Sequence, residues 1–465
     1  MPALPLAIPS YSLRSSASPA RVIGWMPVLI ESGQGKQTAY LKQQPGLILR
    51  ASLGEPIRCM TTSQDVLYVA AGDTLYSVSS AYASTSLGTL QTTTGNIEAA
   101  DNETQVCFVD GIYGYVYDTD ALTFARITDA DFLGSGDVDV LDGYGIFSQP
   151  GTNTFYTSNL QDFTAFDPLA TVTIEGITGN IVGHIVRHHE VFIFKDRSAE
   201  VWYNAPQTNF PLTRNDGAAI EIGCSSAATL RKIGGVIYWL GRDDTGAAMV
   251  FGMAAYSPQR ISSHALEEKL NALDDLTTAT AMVYQQEGLT FYALRHPDLE
   301  TVWVYEAASG VWHERAEWVS GLLAPWRITH HTYCYGVHLV GDADGNIYEL
   351  STDANTNDGD TLIRDIITPV TPNPTLERRR YSSVQVDCDV GQGNSTGNAL
   401  YLMMRYSDDS GKTWSNWKYL SLGNAGNYKQ RVRATRLGVS RNRVWNFRVT
   451  DDVNCSLIQA VFNEP

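Results

Sequence analysis

Between about residues 55 and 352 the chain repeats one pattern of hydrophobic and polar positions. An alternating apolar run meets a turn of Gly, Asp or Asn, and a second run follows, as in "DVLYVAAGDTLYSVS" from Asp65 and "QVCFVDGIYGYVYD" from Gln105. Alternation interrupted by a short polar turn is typical of a β-hairpin, because successive side chains of a strand point to opposite faces. The pattern therefore predicts a series of hairpins.

Five further hairpins share this pattern and begin at Tyr144, Glu190, Gly235, Gly288 and Gly336. The seven hairpins recur about every 40 to 50 residues, and such a repeat with four short strands per unit is typical of a β-propeller. Six or seven blades are expected, because a distant part of the chain could complete one hairpin. A β-sandwich, the alternative fold, would space its turns every ~8 to 12 residues without the longer repeat.

The chain is predicted to be all-β with one helix and a second β domain. In "SSHALEEKLNALDDL" from Ser262, three leucines follow helical spacing, which predicts a helix in a connection between blades: Leu266, Leu270 and Leu273. A polar stretch and three prolines after residue 352 indicate a linker, and alternation then resumes. Four parts are predicted: an N-terminal arm with the segment that leads into the first blade at 1–54, a propeller at 55–352, a linker at 353–378 and a β-sandwich-like domain at 379–465.

Charge is distributed unevenly along the chain. The net charge is −17, but residues 376–448 contain 13 Lys and Arg against 5 Asp and Glu, so they carry +8 and the rest carries −25. An acidic surface repels nucleic acid and anionic membranes. The basic part predicts contact with an acidic neighbour, with a solvated basic face and DNA contact as the alternatives. Its candidate assembly residues are Arg378, Arg379, Arg380, Arg431, Arg433, Arg436, Arg441 and Arg443.

Six widely spaced cysteines contain no C-x-x-C pair, so neither a zinc site nor a dithiol motif is expected. Most lie in apolar runs and are predicted to be buried free thiols, which fits folding in a reducing cytosol. The start of the chain lacks the pattern of a secretory signal, and no stretch approaches ~18 consecutive apolar residues. A membrane-spanning helix is therefore not expected.

The stretch "RYSDDSGKTWSNW" contains a compact turn motif of the form Ser-x-Asp-x-Gly-x-Thr-Trp. It matches the Asp-box, in which the carboxylate caps backbone N–H groups, Gly takes a positive φ and Trp packs beneath the corner. Asp-boxes occur in sialidase blades away from the catalytic face, so a structural corner is predicted here. Its residues are Ser407, Asp409, Gly411, Thr413 and Trp414.

No motif in the sequence predicts catalysis or a metal site. "GDADGNIYEL" from Gly341 lacks the glycine and glutamate positions of an EF-hand, and a hairpin turn explains it better. Adjacent histidines, as at His330 and His331, point to opposite faces of a strand and cannot share one metal. The arginines and tyrosine that a sialidase-like site would need show no distinctive spacing. Neither a cofactor nor a metal is expected.

Both ends of the chain resemble one protein family. The N-terminal motifs are Trp25-Met26-Pro27, Leu41 with Pro45-Gly46-Leu47, and Ile57-Arg58. The C-terminal motifs are the Asp-box, "RLG" at Arg436 to Gly438, and "RVWNFRVT" at Arg443 to Thr450. The chain is similar to the packaged-DNA stabilisation, or tail hub and nozzle, proteins of short-tailed bacteriophages. It departs from that pattern at Gly24-Trp25, where many relatives carry Asn.

The resemblance implies a structural virion protein, not an enzyme. Six copies would form a homohexameric ring that builds the tail tube below the portal and adaptor, retains the packaged DNA and conducts the genome during ejection. The implied partners are other copies, the portal–adaptor complex, and tail fibre, spike or needle proteins, with transient passage of double-stranded DNA. The implied location is the virion, with assembly in the host cytoplasm. The alternative hypothesis is a propeller that binds a host glycan or receptor.

Overall fold

The computed structural model describes residues 3–4, 6, 11–12, 18–30, 36–175, 179–205, 210–243, 245–371, 373, 375, 377–394 and 397–463. These residues contain seven four-stranded antiparallel units, which we call blades 1 to 7. In six blades the four strands follow one another along the chain, and in the seventh an N-terminal strand supplies the fourth. No helix in these ranges is long and apolar enough to cross a membrane.

Blades 1 to 3 are consecutive meanders. Blade 1 consists of Ile57–Ser63, Val66–Ala71, Thr74–Val78 and Ser84–Thr89. Blade 2 consists of Glu98–Asp101, Gln105–Val109, Gly114–Asp118 and Thr123–Arg126. Blade 3 consists of Val138–Leu141, Tyr144–Ser148, Thr154–Asn159 and Asp162–Thr173.

Blades 4 to 6 continue the same order. Blade 4 consists of Ile181–Arg187, Glu190–Lys195, Ala199–Asn204 and Leu212–Arg214. Blade 5 consists of Arg231–Ile233, Val236–Arg242, Ala248–Met253 and Gln259–Arg260. Blade 6 consists of Thr280–Gln286, Leu289–Arg295, Val302–Glu306 and Val311–Val319, and Leu322–Pro325 extends its last strand as a hairpin.

Blade 7 is completed from a distant part of the chain. Its first three strands are Ile328–Cys334, Val337–Asp342 and Asn346–Ser351, and Gly46–Ser52 supplies the fourth. The first strand of each blade contacts that of the next, and Ile328–Cys334 contacts Ile57–Ser63. The ring is therefore closed with seven blades, and the all-β propeller prediction is confirmed. Short pairs at Thr356–Asn357 and Asp360–Thr361 border blade 7.

Local turn chemistry explains why these segments form hairpins. Asp142-Gly143 and Glu287-Gly288 each link the first two strands of a blade with two consecutive positive φ angles. This two-residue turn matches the twist of paired strands, and glycine adopts it without steric cost. The predicted helix is confirmed at His264–Asn271 between blades 5 and 6, with Ser263 as its N-cap. A short 3₁₀ turn spans Ala227–Thr229.

The C-terminal domain is a sandwich of two sheets around its own apolar core. The first sheet has the order Trp25–Leu29, Ala39–Gln43, Ser456–Asn463, Ser383–Cys388 and Val432–Thr435, and Ala3–Leu4 also pairs with Ser456–Asn463. The second has the order Arg364–Ile367, Val444–Val449, Tyr401–Ser407 and Lys418–Ser421. A separate pair joins Arg379–Arg380 to Val439–Ser440.

One N-terminal strand joins the propeller to the sandwich. Arg21–Ile23 pairs in parallel with the last strand of blade 6 and antiparallel with Arg364–Ile367, so one sheet runs through both domains. Arg21 also donates from Nη2 to Glu314 of blade 6 at 2.7 Å. Next to this strand, Gly24 has a φ of +70°, and a Cβ there would lie 1.8 Å from Ile363 O. The joint therefore requires glycine at position 24.

The predicted limits of the four chain segments do not match the way in which the strands are divided between the propeller and the sandwich. The predicted arm at 1–54 contributes strands to the sandwich, to the joint and to blade 7, and the predicted linker at 353–378 contains the sandwich strand Arg364–Ile367. Those limits stay a prediction. All six cysteines are free and buried, as expected from the apolar runs in which they occur.

Candidate assembly surface

The turn of the predicted Asp-box is held by its own side chains between Tyr401–Ser407 and Lys418–Ser421. Asp409 Oδ1 accepts from Thr413 N at 2.8 Å and from Ser407 Oγ at 2.7 Å, while Oδ2 accepts from Thr413 Oγ1 at 2.6 Å. The Thr413 hydroxyl and these other donors hold the pKa of Asp409 well below its usual range. The carboxylate therefore acts as a turn cap.

A row of alternating tryptophans and arginines lies beside this turn. Arg405 stacks on the rings of Trp414 and Trp417 at 4.6 and 4.3 Å, and Arg448 stacks on Trp417 and Trp318 at 4.9 and 4.8 Å. We call these five residues the Trp–Arg ladder. It connects the sandwich to blade 6, because Trp318 belongs to the last strand of that blade.

The sequence did not predict the Trp–Arg ladder, although a signal was present. Met403 lies opposite Arg448, and Arg405 lies opposite Asn446, so both arginines project from the same face of the sheet. Two tryptophans in "WSNW" follow the predicted turn directly. Neighbouring arginines on one face beside two tryptophans favour cation–π stacking, but the strand pairing that brings them together is not local.

Most of the predicted assembly arginines lie on the surface of the sandwich. Six are exposed and Arg379 is half-buried; the exposed ones are Arg378, Arg380, Arg431, Arg433, Arg436 and Arg441. Val432–Thr435 is the last strand of its sheet, and its burial alternates so that Arg433 and Thr435 face outward. We call Arg380, Arg431, Arg433 and Arg436 the basic edge. Arg433 also donates to Ser383 Oγ at 3.0 Å.

Arg443 is not available to a partner, and its prediction as an assembly contact was wrong. Its exposed fraction is 1%. Its guanidinium donates to both carboxylate oxygens of Asp408, at 2.7 and 2.8 Å, and lies 4.0 Å from the ring of Tyr406 and 4.5 Å from that of Tyr381. The side chain therefore stabilises the sandwich interior.

The propeller carries an acidic pocket at the ends of blades 4 to 6. The pocket has a volume of about 680 Å³ and is lined by five carboxylates together with Arg197 and Arg242; the carboxylates are Asp196, Glu221, Asp243, Asp274 and Asp275. Hydrogen bonds from Thr245 and Thr277 keep the pKa values of Asp243 and Asp275 below their usual range. Both carboxylates are therefore anionic at neutral pH.

Ion pairs link non-adjacent blades of the propeller. Arg231 Nη2 in blade 5 lies 2.9 Å from Glu98 Oε1 in blade 2, and Lys232 Nζ lies 3.0 Å from Asp139 Oδ2 in blade 3. Arg231 also donates from Nε to Ala281 O of blade 6 at 2.9 Å. The Arg231–Glu98 pair therefore spans the ring, and the Lys232–Asp139 pair joins blades 3 and 5.

The groups that a sialidase-like site would need do not converge. Arg231 is paired with Glu98, Arg187 donates to Met253 O at 3.1 Å, and Arg327 binds Glu317 and Asp360. The calcium-loop alternative also fails at Gly341, because Asp342 caps its own turn by accepting from Asn346 N at 2.8 Å. Among the described residues, no group of three or more His, Cys, Asp or Glu side chains could hold a metal ion.

Two family models match the chain in succession. The model described as "Bacteriophage P22 Gp10, beta-propeller" matches residues 25–355, and "Bacteriophage P22 Gp10, beta-sandwich" matches residues 366–463. The chain belongs to the bacteriophage P22 Gp10 family. Membership confirms the resemblance found at both ends of the sequence and the propeller-plus-sandwich architecture. The P22 Gp10 family is a family of phage stabilisation proteins of the virion and not a known enzyme family.

Comparison with solved structures gives distant similarities for this P22 Gp10 family member. The extracellular domain of the BT4673 one component system from B. thetaiotaomicron is 12% identical with a TM-score of 0.44, and the match covers 81% of this chain and 47% of that domain. The WD40 β-propeller domain of Doa1 is 10% identical with a TM-score of 0.40, covering 66% of this chain and 96% of that domain. The chain thus spans about half the length of the BT4673 domain. No curated protein matches it.

Proposed function

We propose that the chain is a subunit of the tail hub, or nozzle, of a short-tailed phage. In this role it lies below the portal and adaptor, retains the packaged DNA and lines the path of ejection. The observation that carries the proposal is the succession of both P22 Gp10 family models over residues 25–355 and 366–463. The phage stabilisation role of that family supports retention of the genome.

The closed propeller axis supports a tube built from several copies. The Glu98–Arg231 pair spans the centre of the ring, so one propeller offers no passage for a DNA duplex. A conduit then requires a space between subunits. Cyclic symmetry is the usual way in which identical subunits enclose such a space. We therefore propose a closed ring, and the resemblance to tail hub proteins implies that this ring is a homohexamer.

The charge distribution supports a conduit that does not hold DNA. Residues outside 376–448 carry −25, so a wall made by them repels phosphates and forms few long-lived contacts with the duplex. The basic edge would instead bind an acidic neighbour, either another subunit's acidic propeller or an adjoining tail protein. Such contacts fit a protein that assembles in the host cytoplasm and remains in the virion.

The alternative, a glycan- or receptor-binding propeller, needs a cluster of exposed aromatic residues on one propeller face. In the described propeller the most exposed aromatic side chains are Tyr203, Tyr256 and Tyr333. Tyr256 OH donates to Glu190 of blade 4 at 2.7 Å, and Tyr333 lies on blade 7, on the other side of the ring. Tyr203 lies opposite Glu190 and therefore beside Tyr256, whereas Tyr333 is remote from both. The exposed aromatic residues of the described propeller thus form a pair and not an extended cluster, so the tail-hub proposal is favoured.

Assembly with purified components tests the proposal. The full-length protein is added to the portal–adaptor complex of the same virus, and native mass spectrometry counts the copies that join. We expect six copies on the complex, even if the protein alone is monomeric. Failure to join the complex, or particles that retain their genome and infectivity without this protein, would contradict the tail-hub role.

A further inference from the structure

The first sheet of the sandwich has an open edge at Val432–Thr435. This strand pairs with Ser383–Cys388 on one side, and no strand of the described residues pairs with it on the other. The edge of a sheet presents backbone N–H and C=O groups to which another extended chain can bind. An additional strand could therefore pair here.

Two residues of the open edge have backbone groups that point outward. In an antiparallel pair, residues that exchange hydrogen bonds alternate with residues that do not. Arg436 N donates to Ser382 O at 2.9 Å, so the buried residues of the strand bond to the neighbouring strand, and the N–H and C=O groups of Arg433 and Thr435 point away from it. These groups have no hydrogen-bond partner among the described residues, and both residues are exposed.

The outward groups are surrounded by positive charge that the chain does not neutralise. All four arginines of the basic edge are exposed, and none of them forms an ion pair with a carboxylate of the described residues. Arg433 contacts the hydroxyl of Ser383, which carries no charge. Complementary charge favours one partner over others, so an acidic segment is the occupant that this edge selects.

The same charges disfavour pairing between the open edges of two copies. Like charges that lie opposite each other in a pair of strands are destabilising, and two such edges would bring their arginines together. Charged side chains on an edge are a common protection against this kind of self-association. The occupant is therefore a segment with a different, acidic sequence.

A pocket at one end of the strand can receive a side chain of the added segment. It has a volume of about 400 Å³ and lies beside Thr435, where Arg380, Arg436 and Val439 also line it. No carboxylate belongs to its described lining, so its two arginines can bind an acidic side chain. Strand addition combines main-chain hydrogen bonds with such pockets for alternate side chains.

We propose that Val432–Thr435 binds an extended acidic segment of an adjoining tail protein by strand addition. The backbone of the segment bonds to the outward N–H and C=O groups of Arg433 and Thr435. Its carboxylates bind the arginines of the basic edge. This inference rests on the proposed tail-hub role and assigns the mode in which the basic edge holds its acidic neighbour.

Hydrogen–deuterium exchange tests the added strand directly. Exchange is measured for the free full-length protein and for tails isolated from virions of the same virus. The amides of Arg433 and Thr435 should exchange roughly 100-fold more slowly in the tail, because they become paired there. The amides of Val432 and Ala434 are paired within the sheet and should be protected in both samples. Fast exchange at Arg433 and Thr435 in tails that contain the chain overturns strand addition and leaves the tail-hub role intact.

A proline in the open edge separates strand addition from contact through side chains alone. Thr435→Pro removes an outward N–H, and proline is tolerated on edge strands where this group faces solvent, so thermal unfolding of the free variant should be nearly unchanged. The control, Thr435→Val, keeps the N–H and the shape of the side chain. Each variant replaces the wild-type chain during infection, and mass spectrometry counts the copies in the virions.

Virions should contain roughly tenfold less Thr435→Pro chain than Thr435→Val chain, because a main-chain hydrogen bond is lost and the proline ring blocks close approach. Equal incorporation of the two variants overturns the inference. Virions that lack the wild-type chain altogether overturn the tail-hub proposal as well.

Discussion

Arg231 of blade 5 and Glu98 of blade 2 form an ion pair of 2.9 Å across the propeller axis. Strands at the centre of a propeller run around an axial channel, and here charged side chains from opposite sides of the ring meet across it. The pair stabilises the arrangement of non-adjacent blades. It also means that a genome-conducting tube must arise from the arrangement of several chains, and this is the central claim of our proposal.

The buried arginine of the sandwich should be far more sensitive to substitution than its exposed neighbour. Arg443→Lys should destabilise the protein by about 3 kcal/mol, because lysine can neither bind Asp408 with two parallel hydrogen bonds nor stack on Tyr406 and Tyr381. Arg441→Lys, at an exposed position, should change the free energy of unfolding by less than about 0.5 kcal/mol. Denaturant unfolding of both variants measures the difference. Equal effects would contradict the buried role of Arg443.

Gly24 should be essential to the joint between the domains. Gly24→Ala places a Cβ 1.8 Å from Ile363 O at a φ of +70°, so we expect a loss of about 3 kcal/mol or more. Gly54→Ala is the matched control: its φ is +80°, but a Cβ there meets nothing within 4 Å. The strain alone should cost about 1 kcal/mol. Similar thermal unfolding of the two variants would show that the close approach at Gly24 is unimportant.

The turn at Asp409 should contribute to stability and not to catalysis. The pKa of Asp409 is lower in the folded than in the unfolded protein. The stabilisation by this carboxylate is therefore fully present at pH values above the pKa of the unfolded protein, and it is lost as the pH falls through the pKa of the folded protein. Asp409→Ala should thus lower the free energy of unfolding at neutral pH and make it less dependent on pH in the acidic range. Thr413→Val should have a smaller effect in the same direction, because it removes one of the donors. Glycan hydrolysis that disappeared in Asp409→Ala would refute this structural role.

The basic edge should take part in assembly through its charge. Replacing Arg431, Arg433 and Arg436 together with Glu should prevent the full-length chain from joining the portal–adaptor complex, while circular dichroism shows an intact fold. Wild-type assembly should weaken as salt rises from low to molar levels, since the Debye length is already only ~10 Å at ~0.1 M. Arg126→Glu on blade 2 is the control for a charge change elsewhere. If neither salt nor charge reversal changes assembly, the basic edge faces solvent and binds no partner.

Local patterns in the sequence predicted the repeating part of the fold well. Each hairpin depends on alternation and on a turn such as Asp142-Gly143, and both are visible within about 15 residues. The seventh blade needs Gly46–Ser52, and the joint needs Arg21–Ile23, and both strands pair with segments some 300 residues away. Such pairing is governed by the closure of the ring and leaves no local signal. Blade number and domain limits therefore could not be derived from the pattern alone.

In the candidate surface, too, features that depend on nearby residues were predictable from the sequence, and contacts between distant residues were not. Positive charge in residues 376–448 predicted an exposed basic region, and the basic edge lies there. Arg443 was misassigned, although it shares alternation with Trp445 and Phe447, which face the core. Because side chains two residues apart on a strand share a face, this spacing could have indicated that the Arg443 side chain points inward. Asp408, which neutralises Arg443, lies 35 residues away, and only the folded sheet brings the two together.

A three-dimensional reconstruction of the assembled tail by electron cryomicroscopy tests the central claim most directly. Our account predicts a ring of copies of this chain below the portal and adaptor, with the DNA path between copies and every propeller axis closed at Glu98 and Arg231. DNA density running through the axis of a single propeller, or a tail that lacks this chain, would contradict it.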